Sequence, residues 1–235
     1  GSRSARVTAI LPLTPDTLRV VCEPEEPIPF LPGQYVLVVI PGHKGRRAYS
    51  MSDLPGDGRR LDFVVRAKPG GAATRHFFEK LQPGDRLTLE GPYGHAWLRT
   101  PVERDLVLVA GGSGLGPMLS ILRAALLGGV ADGRDVVLVF GARRRRDLFD
   151  LAVLDELARS HGNFRCVLAL SEPEAADPWE GEVGLVHEVL VRCVPDLADR
   201  DLYMAGPAPM IDAVLRACVF ERGIAPARLR FDRFS

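Results

Sequence analysis

The 235-residue chain has no run of 18 or more apolar residues, so no membrane-spanning helix is expected. It also has no excess of charge of either sign. Lys plus Arg and Asp plus Glu each number 30, and the formal net charge is zero. That balance gives no support to general binding of nucleic acid or of an anionic membrane. Cysteine is scarce: Cys22, Cys166, Cys193 and Cys218 are 144, 27 and 25 residues apart. No zinc or iron–sulfur ligand pattern has those spacings, and no metal site is expected. Cys22, Cys166 and Cys218 lie in apolar or amphipathic segments and read as buried thiols, which favours a reducing, cytoplasmic compartment. No apolar segment follows Gly1-Ser2-Arg3-Ser4, so no secretory signal is expected. The first residue is Gly rather than Met, which leaves room for a longer parent chain.

What the chain does have is enough apolar residues, 46%, to fill substantial cores. Its first hundred residues are short apolar or β-branched runs: Val7–Leu11, Thr17–Cys22, Tyr35–Ile40, Leu61–Val65 and Arg86–Glu90. Turns such as Pro32-Gly33, Pro41-Gly42 and Pro83-Gly84 separate them. Only Ala72–Leu81 looks helical here, and the pattern implies a small barrel or sandwich. After residues 100–104 the pattern changes. Strands at Leu106–Ala110, Val136–Phe140, Phe164–Leu170, Leu202–Met204 and Arg228–Asp232 alternate with helices at Pro117–Leu127, Leu148–Ser160, Val186–Arg192 and Met210–Arg222. Such alternation predicts a parallel α/β sheet covered on both faces. Two domains follow, residues 1–100 and 101–235.

The sharpest single signal is Gly111-Gly112-Ser113-Gly114-Leu115-Gly116-Pro117, between an apolar strand and a helix. Glycines permit a tight turn and close approach of a phosphate to the backbone, and free N–H groups at a helix start favour a pyrophosphate. Pro117 suits the first turn of that helix. The spacing is G-x-G-x-G (Gly112, Gly114, Gly116) rather than the usual G-x-G-x-x-G. The context points to dinucleotide binding, although such a turn can also be purely structural.

Six segments in order carry a family resemblance: Arg47-Ala48-Tyr49-Ser50, Gly70-Gly71-Ala72-Ala73-Thr74, Gly91-Pro92-Tyr93-Gly94, Gly111–Gly116, Ala205-Gly206-Pro207 and Phe231-Asp232-Arg233-Phe234. Together they resemble the ferredoxin–NADP reductase superfamily over nearly the whole chain. The reductase components of bacterial oxygenases, of the methane-monooxygenase type, are the nearest likeness. The resemblance implies an antiparallel Greek-key β-barrel that binds FAD, followed by a parallel, Rossmann-like α/β domain for the nicotinamide dinucleotide. The end of the chain would return to the flavin side. Such reductases commonly carry a plant-type [2Fe–2S] domain, whose closely spaced cysteines are absent from these residues. A [2Fe–2S] centre is therefore expected only in a missing domain or a partner.

The resemblance assigns residues as follows. Arg47 would pair with the FAD pyrophosphate, with Ala48 beside it. Tyr49 would pack on the flavin or its ribityl chain, and Ser50 would lie near N5. A guanidinium fork, a flat ring and a small hydroxyl suit those tasks. Gly71, Ala72, Ala73 and Thr74 would place the pyrophosphate at a helix start, with Arg66 as a second phosphate contact. Gly112, Ser113, Gly114, Leu115, Gly116 and Pro117 would hold the dinucleotide, and Gly206 and Pro207 would shape the turn beneath it. Ala205 stands where relatives have a cysteine near the nicotinamide, so packing around hydride transfer is expected to be looser. Asp232 would orient Ser50 or assist protonation at N5, and Phe234 would cover the flavin.

At Ser171-Glu172, Glu172 replaces an arginine with which relatives recognise the 2′-phosphate of NADPH. A carboxylate suits ribose hydroxyls, so NADH is expected over NADPH. The run Arg143–Arg146 can touch phosphate, dock an acidic partner or simply be solvated. The expected function is NADH-dependent reduction of FAD, with single electrons passed to an iron–sulfur domain or protein and on to an oxygenase component. A free-standing flavin reductase, a flavohaemoglobin-like reductase module and a nonredox docking module are the rival readings.

Overall fold

The computed structural model describes residues 1–42 and 45–234, with Ala72 described by its backbone alone. Two six-stranded sheets make up the fold. The first contains β1 (Ser2–Thr14), β2 (Thr17–Pro24), β3 (Tyr35–Val39), β4 (Arg46–Ser50), β5 (Leu61–Arg66) and β6 (Arg86–Tyr93). All its pairings are antiparallel, in the order β4-β3-β6-β1-β2-β5. The inward residues Val7, Val20, Val36, Val38, Phe63, Leu87 and Leu89 form one core.

The expected barrel is not formed. A barrel needs a hydrogen-bonded ladder between its two end strands. Here β4 and β5 are the ends of an open sheet, and the nearest approach to closure is one isolated bridge, Met51 to Phe63. The chain turns away through Asp53–Arg60, rich in Pro and Gly, before a ladder can grow. Between β5 and β6 lies a short helix, α1 (Ala72–Arg75), that runs into a π-helical turn at His76–Lys80.

The second sheet is wholly parallel, in the Rossmann-like manner, and follows the order β10-β9-β8-β7-β11-β12. Its strands are β7 (Leu106–Gly111), β8 (Val136–Ala142), β9 (Phe164–Leu170), β10 (Glu182–Val183), β11 (Asp201–Pro207) and β12 (Leu229–Phe234). Helices α2 (Leu115–Leu126) and α3 (Leu151–Ser160) cover one face, and α4 (Val186–Cys193) and α5 (Ala208–Arg216) cover the other. β7 is buried at every residue, as a central strand covered twice must be. The buried Tyr203 accepts a hydrogen bond from the Arg99 N–H at 2.9 Å, which satisfies its hydroxyl. Among the described residues no helix is long and apolar enough to span a membrane, and no group of three or more His, Cys, Asp or Glu is arranged to hold a metal.

Candidate active site

The strand order places the site. From β7 the chain moves outward through β8, β9 and β10, then returns to the opposite side of β7 with β11. Loops leaving β7 and β11 therefore diverge and open a crevice at the carboxyl ends of the strands. The glycine-rich loop follows β7, and Gly206-Pro207 ends β11.

Each glycine of the G-x-G-x-G run has a different job. Gly112 has φ +53°, and a Cβ there would lie 2.9 Å from Arg66 Nη1. Gly114 lies against the carbonyl of Ala205, with no room for a Cβ. A Cβ at Gly116 would have ordinary space, 3.6 Å from Val64 and 3.7 Å from Ser52, both in the antiparallel half. A 3-10 turn at Gly112–Gly114 precedes α2, so the helix starts at Leu115, two residues before Pro117. Gly112 and Ser113 are partly exposed, whereas Leu115, Gly116 and Pro117 are buried. Ala110, Ala205 and Asp232 occupy one register row across β7, β11 and β12.

Asp232 is the unusual group in that row. Its Oδ2 is buried with no hydrogen-bond partner among the described residues. Burial pushes its carboxyl up to about 6, against an opposing pull from His95. Ala205 is fully buried, and Phe234, in register with Pro207, is partly buried against the same core.

On the antiparallel side, β4 is an edge strand whose Arg46, Arg47 and Ala48 are exposed and whose Ser50 is buried. Arg46 pairs with Glu90 at 2.8 Å. Arg47 forms no ion pair among the described residues and donates only to the carbonyl of Arg46, at 3.0 Å. The Tyr49 ring stacks on Phe63 at 5.4 Å and meets Phe77 edge-on at 5.2 Å. Burial raises its phenol to about 12. Thr74 staples its own loop: its hydroxyl donates to the Gly71 carbonyl at 3.1 Å and accepts from the Lys68 N–H at 3.2 Å. Ala73 faces the core, and the side chain of Ala72 lies outside the described set. Arg66 ends β5 and donates Nε–H to Asp16 at 2.9 Å. The Asp16 carboxyl stays below its usual value because bonds from Arg66, Thr14 and Thr17 outweigh its burial.

Beyond β8 and β9, two loops are zipped together: Ser171 N–H donates to the Ala142 carbonyl at 3.1 Å, and Glu172 N–H to the Arg143 carbonyl at 2.8 Å. The basic run is largely neutralised. Arg143 meets Glu172 at 3.3 Å, Arg144 meets Glu174 at 2.8 Å and Arg145 meets Asp177 at 3.2 Å. That pairing leaves little free charge for an acidic docking partner. Arg145 also lines a cavity of about 390 Å³ with Leu168, Pro178 and Trp179.

Residues outside the sequence-based set tie the halves together. Ser120 of α2 donates to the Asp53 carbonyl at 2.7 Å, and Arg123 donates to the Ser52 carbonyl at 2.8 Å. Arg19 of β2 grips Asp150, just before α3, through both oxygens at 3.1 and 2.5 Å. A charge inside the apolar run Thr17–Cys22 was the available signal for Arg19. Ser120 and Arg123, polar at i and i+3 of an otherwise apolar helix, were the signal in α2.

The arrangement can receive two extended phosphate-bearing cofactors. An exposed arginine with no ion pair among the described residues lies on one side, a glycine cradle lies on the other, and a buried acid sits in the strand next to Ala205. A switch-point crevice of this kind is where parallel α/β sheets bind nucleotides and other ligands. The comparisons agree. A model of the oxidoreductase FAD-binding domain matches residues 6–97, and one of the oxidoreductase NAD-binding domain matches 108–216. The ferredoxin–NAD(+) reductase component of an alkene monooxygenase system from Xanthobacter autotrophicus is 41% identical, over 98% of this chain and 69% of its own. The reductase component of a phenol 2-monooxygenase from Pseudomonas is 35% identical, over 93% of this chain and 63% of its own. Among solved structures, a cytochrome P450 reductase of Amycolatopsis superposes with a TM-score of 0.92 at 34% identity, covering 100% of this chain and 70% of that one. The chain belongs to the ferredoxin–NADP reductase superfamily of FAD- and NAD-binding oxidoreductases, and resembles the reductase components of oxygenase systems.

Proposed function

We propose that this chain takes a hydride from NADH onto FAD and delivers electrons singly to an iron–sulfur centre serving an oxygenase. Residues 1–100 would form the flavin domain and 101–235 the dinucleotide domain, working in the cytoplasm. The observation that carries the reading is spatial. The carbonyl of Ser52, two residues beyond Ser50, accepts a hydrogen bond from Arg123 of α2 at 2.8 Å, so the segment leaving the strand expected to border the flavin meets the helix that follows the glycine loop. Bound FAD supplies the chemistry, since it accepts a hydride and can release electrons one at a time.

The residues supply positions and charges. Arg47, exposed and without a carboxylate partner among the described residues, fits a pyrophosphate. Arg66, held by Asp16 against Gly112, fits a phosphate of either cofactor at the seam between the halves. Gly112, Ser113 and Gly114 would take the dinucleotide backbone, with Gly206 and Pro207 beneath it. Ser50 and Asp232 would flank the reacting rings, and near pH 6 Asp232 can hold or yield a proton there. Phe234 would cover the ring face, and Thr74 would hold the phosphate loop in shape.

The preference for NADH rests on Glu172. Its carboxylate suits ribose hydroxyls, while its partner Arg143 can turn toward a 2′-phosphate, so the expected preference is moderate. The relatives whose names mention ferredoxin or a monooxygenase are the support for the iron–sulfur and oxygenase partners. The test is flavin release by acid, identification by chromatography, and anaerobic reduction of the reconstituted protein by NADH. One FAD per chain, bleached by NADH, is expected. No bound flavin after reconstitution, or FMN in its place, overturns the reading.

A further inference from the structure

The contact between the two halves is polar and directional. Arg19 and Asp150, 131 residues apart, form a two-oxygen ion pair whose side chains are only 11% and 7% exposed. Asp150 takes an unusual conformation to make it. Its φ of 56° is the only positive φ at a non-glycine among the described residues, and its carboxylate does not cap α3, the helix it precedes. A residue at that position ordinarily turns its side chain onto the helix N–H groups. Asp150 turns away, toward the other half of the molecule.

A network extends from the pair. Asp62 of β5 lies 3.9 Å from Arg19 Nε and accepts a short hydrogen bond from the Ser52 hydroxyl. Arg60 pairs with both Asp53 and Asp62. Burial works against the charge on Arg19, but Asp150 and Asp62 more than offset it and hold the guanidinium charged. Arg123 and Ser120 of α2 hold the carbonyls of Ser52 and Asp53. The segment 52–53 leaves the Arg47–Ser50 strand, and α2 leaves the glycine loop, so the network links the expected binding segments of the two cofactors.

A buried ion pair adds little net stability over an apolar pair of the same volume, but it demands one geometry. An apolar interface tolerates sliding; a two-oxygen clasp between a β-strand and a helix start does not. We infer that the Arg19–Asp150 clasp, with the Ser120 and Arg123 contacts, sets the angle between the two halves and so the distance between the reacting rings. Arg19 and Asp150 are positioning residues. They touch no cofactor and act through the segments they hold. The kinetic part of this inference rests on the hydride-transfer reading above.

The test uses Asp150→Asn. Asn tolerates the left-handed backbone and keeps the shape while losing the charge. One readout needs no activity: pulsed EPR distances between spin labels at Arg59→Cys and Arg159→Cys, in a background with Cys166→Ser and Cys193→Ser, the two native cysteines that are not buried. A single narrow distribution is expected in the parent and a broadened or shifted one in Asp150→Asn. The second readout is flavin reduction in the FAD-loaded protein at saturating NADH. It is expected to slow ~10-fold, since small misplacements of reacting groups are costly, with FAD content and dinucleotide affinity nearly unchanged. Arg19→Lys keeps the charge but loses the fork; it should recover part of the rate, and it gives the same distance readout if Asp150→Asn does not fold. An unchanged distance distribution overturns the inference, whatever the rate does. A parent protein that NADH does not reduce would refute the hydride-transfer reading and leave the distance test standing.

Discussion

The two halves build their parts of the site from different material. The parallel half uses backbone: a 3-10 turn of glycines, strand ends in register and the carbonyl of Ala205 against Gly114. On the proposed reading the antiparallel half would use side chains on an exposed edge strand, above all Arg47. Backbone cradles fail by collision, nearly all or none. Side-chain contacts fail by degree, according to charge and geometry.

Gly114→Ala should give the largest effect. Its Cβ would overlap the Ala205 carbonyl, and a loss of about 3 kcal/mol or more is expected, with dinucleotide binding abolished. Gly116→Ala, two residues on with ordinary space, should stay within about 1 kcal/mol of the parent. Thermal unfolding and dinucleotide titration of both variants decide it; equal effects would dissolve the distinction between the two glycines.

Asp232 offers the next largest change. Burial pushes its carboxyl up to about 6 in the fold from an ordinary 3.8, so between those values the folded state holds more proton. Rising pH then removes stability through that window, amounting to about 3 kcal/mol once above it. Asp232→Asn in flavin-free protein should therefore be more stable than the parent above about pH 7 and equal to it below about pH 4. Urea unfolding at both pH values is the measurement, and a constant difference would contradict the assignment.

Arg47→Ala should weaken FAD binding by about 10- to 100-fold, as expected for a lost charge-assisted contact, while stability changes little. Equilibrium flavin titration checks it, and unchanged affinity would remove Arg47 from the site. The smallest effect belongs to the exposed Arg143–Glu172 pair. Arg143→Gln should raise the NADH-to-NADPH ratio of kcat/KM by about fivefold at most, less in high salt, and Glu172→Arg should lower it. A ratio unmoved by either change would place nucleotide choice elsewhere.

The same contrast explains what could be read before the structure. The buried run Leu106–Ala110 and its glycines report their conformation locally, so the parallel half and its crevice were legible. Strand alternation in the antiparallel half reports strands but not whether the two at the edges of the sheet, β4 and β5, pair; closure turned on a single bridge between Met51 and Phe63. The basic run at 143–146 looked free because its neutralising acids, Glu172, Glu174 and Asp177, come about thirty residues later. The clasp of Arg19 and Asp150 was likewise invisible: no local pattern announces a partner 131 residues away.

In the proposed reaction a hydride passes directly from a nicotinamide ring to FAD at the crevice by the carboxyl ends of β7 and β11. Stopped-flow reduction of the FAD-loaded protein, with NADH carrying deuterium at the transferred position of C4, tests it most directly. Rapid bleaching of the flavin is expected, slowed severalfold by the deuterium. Flavin that stays oxidised in the presence of NADH, or bleaching that leaves the deuterium on the oxidised dinucleotide, would contradict it.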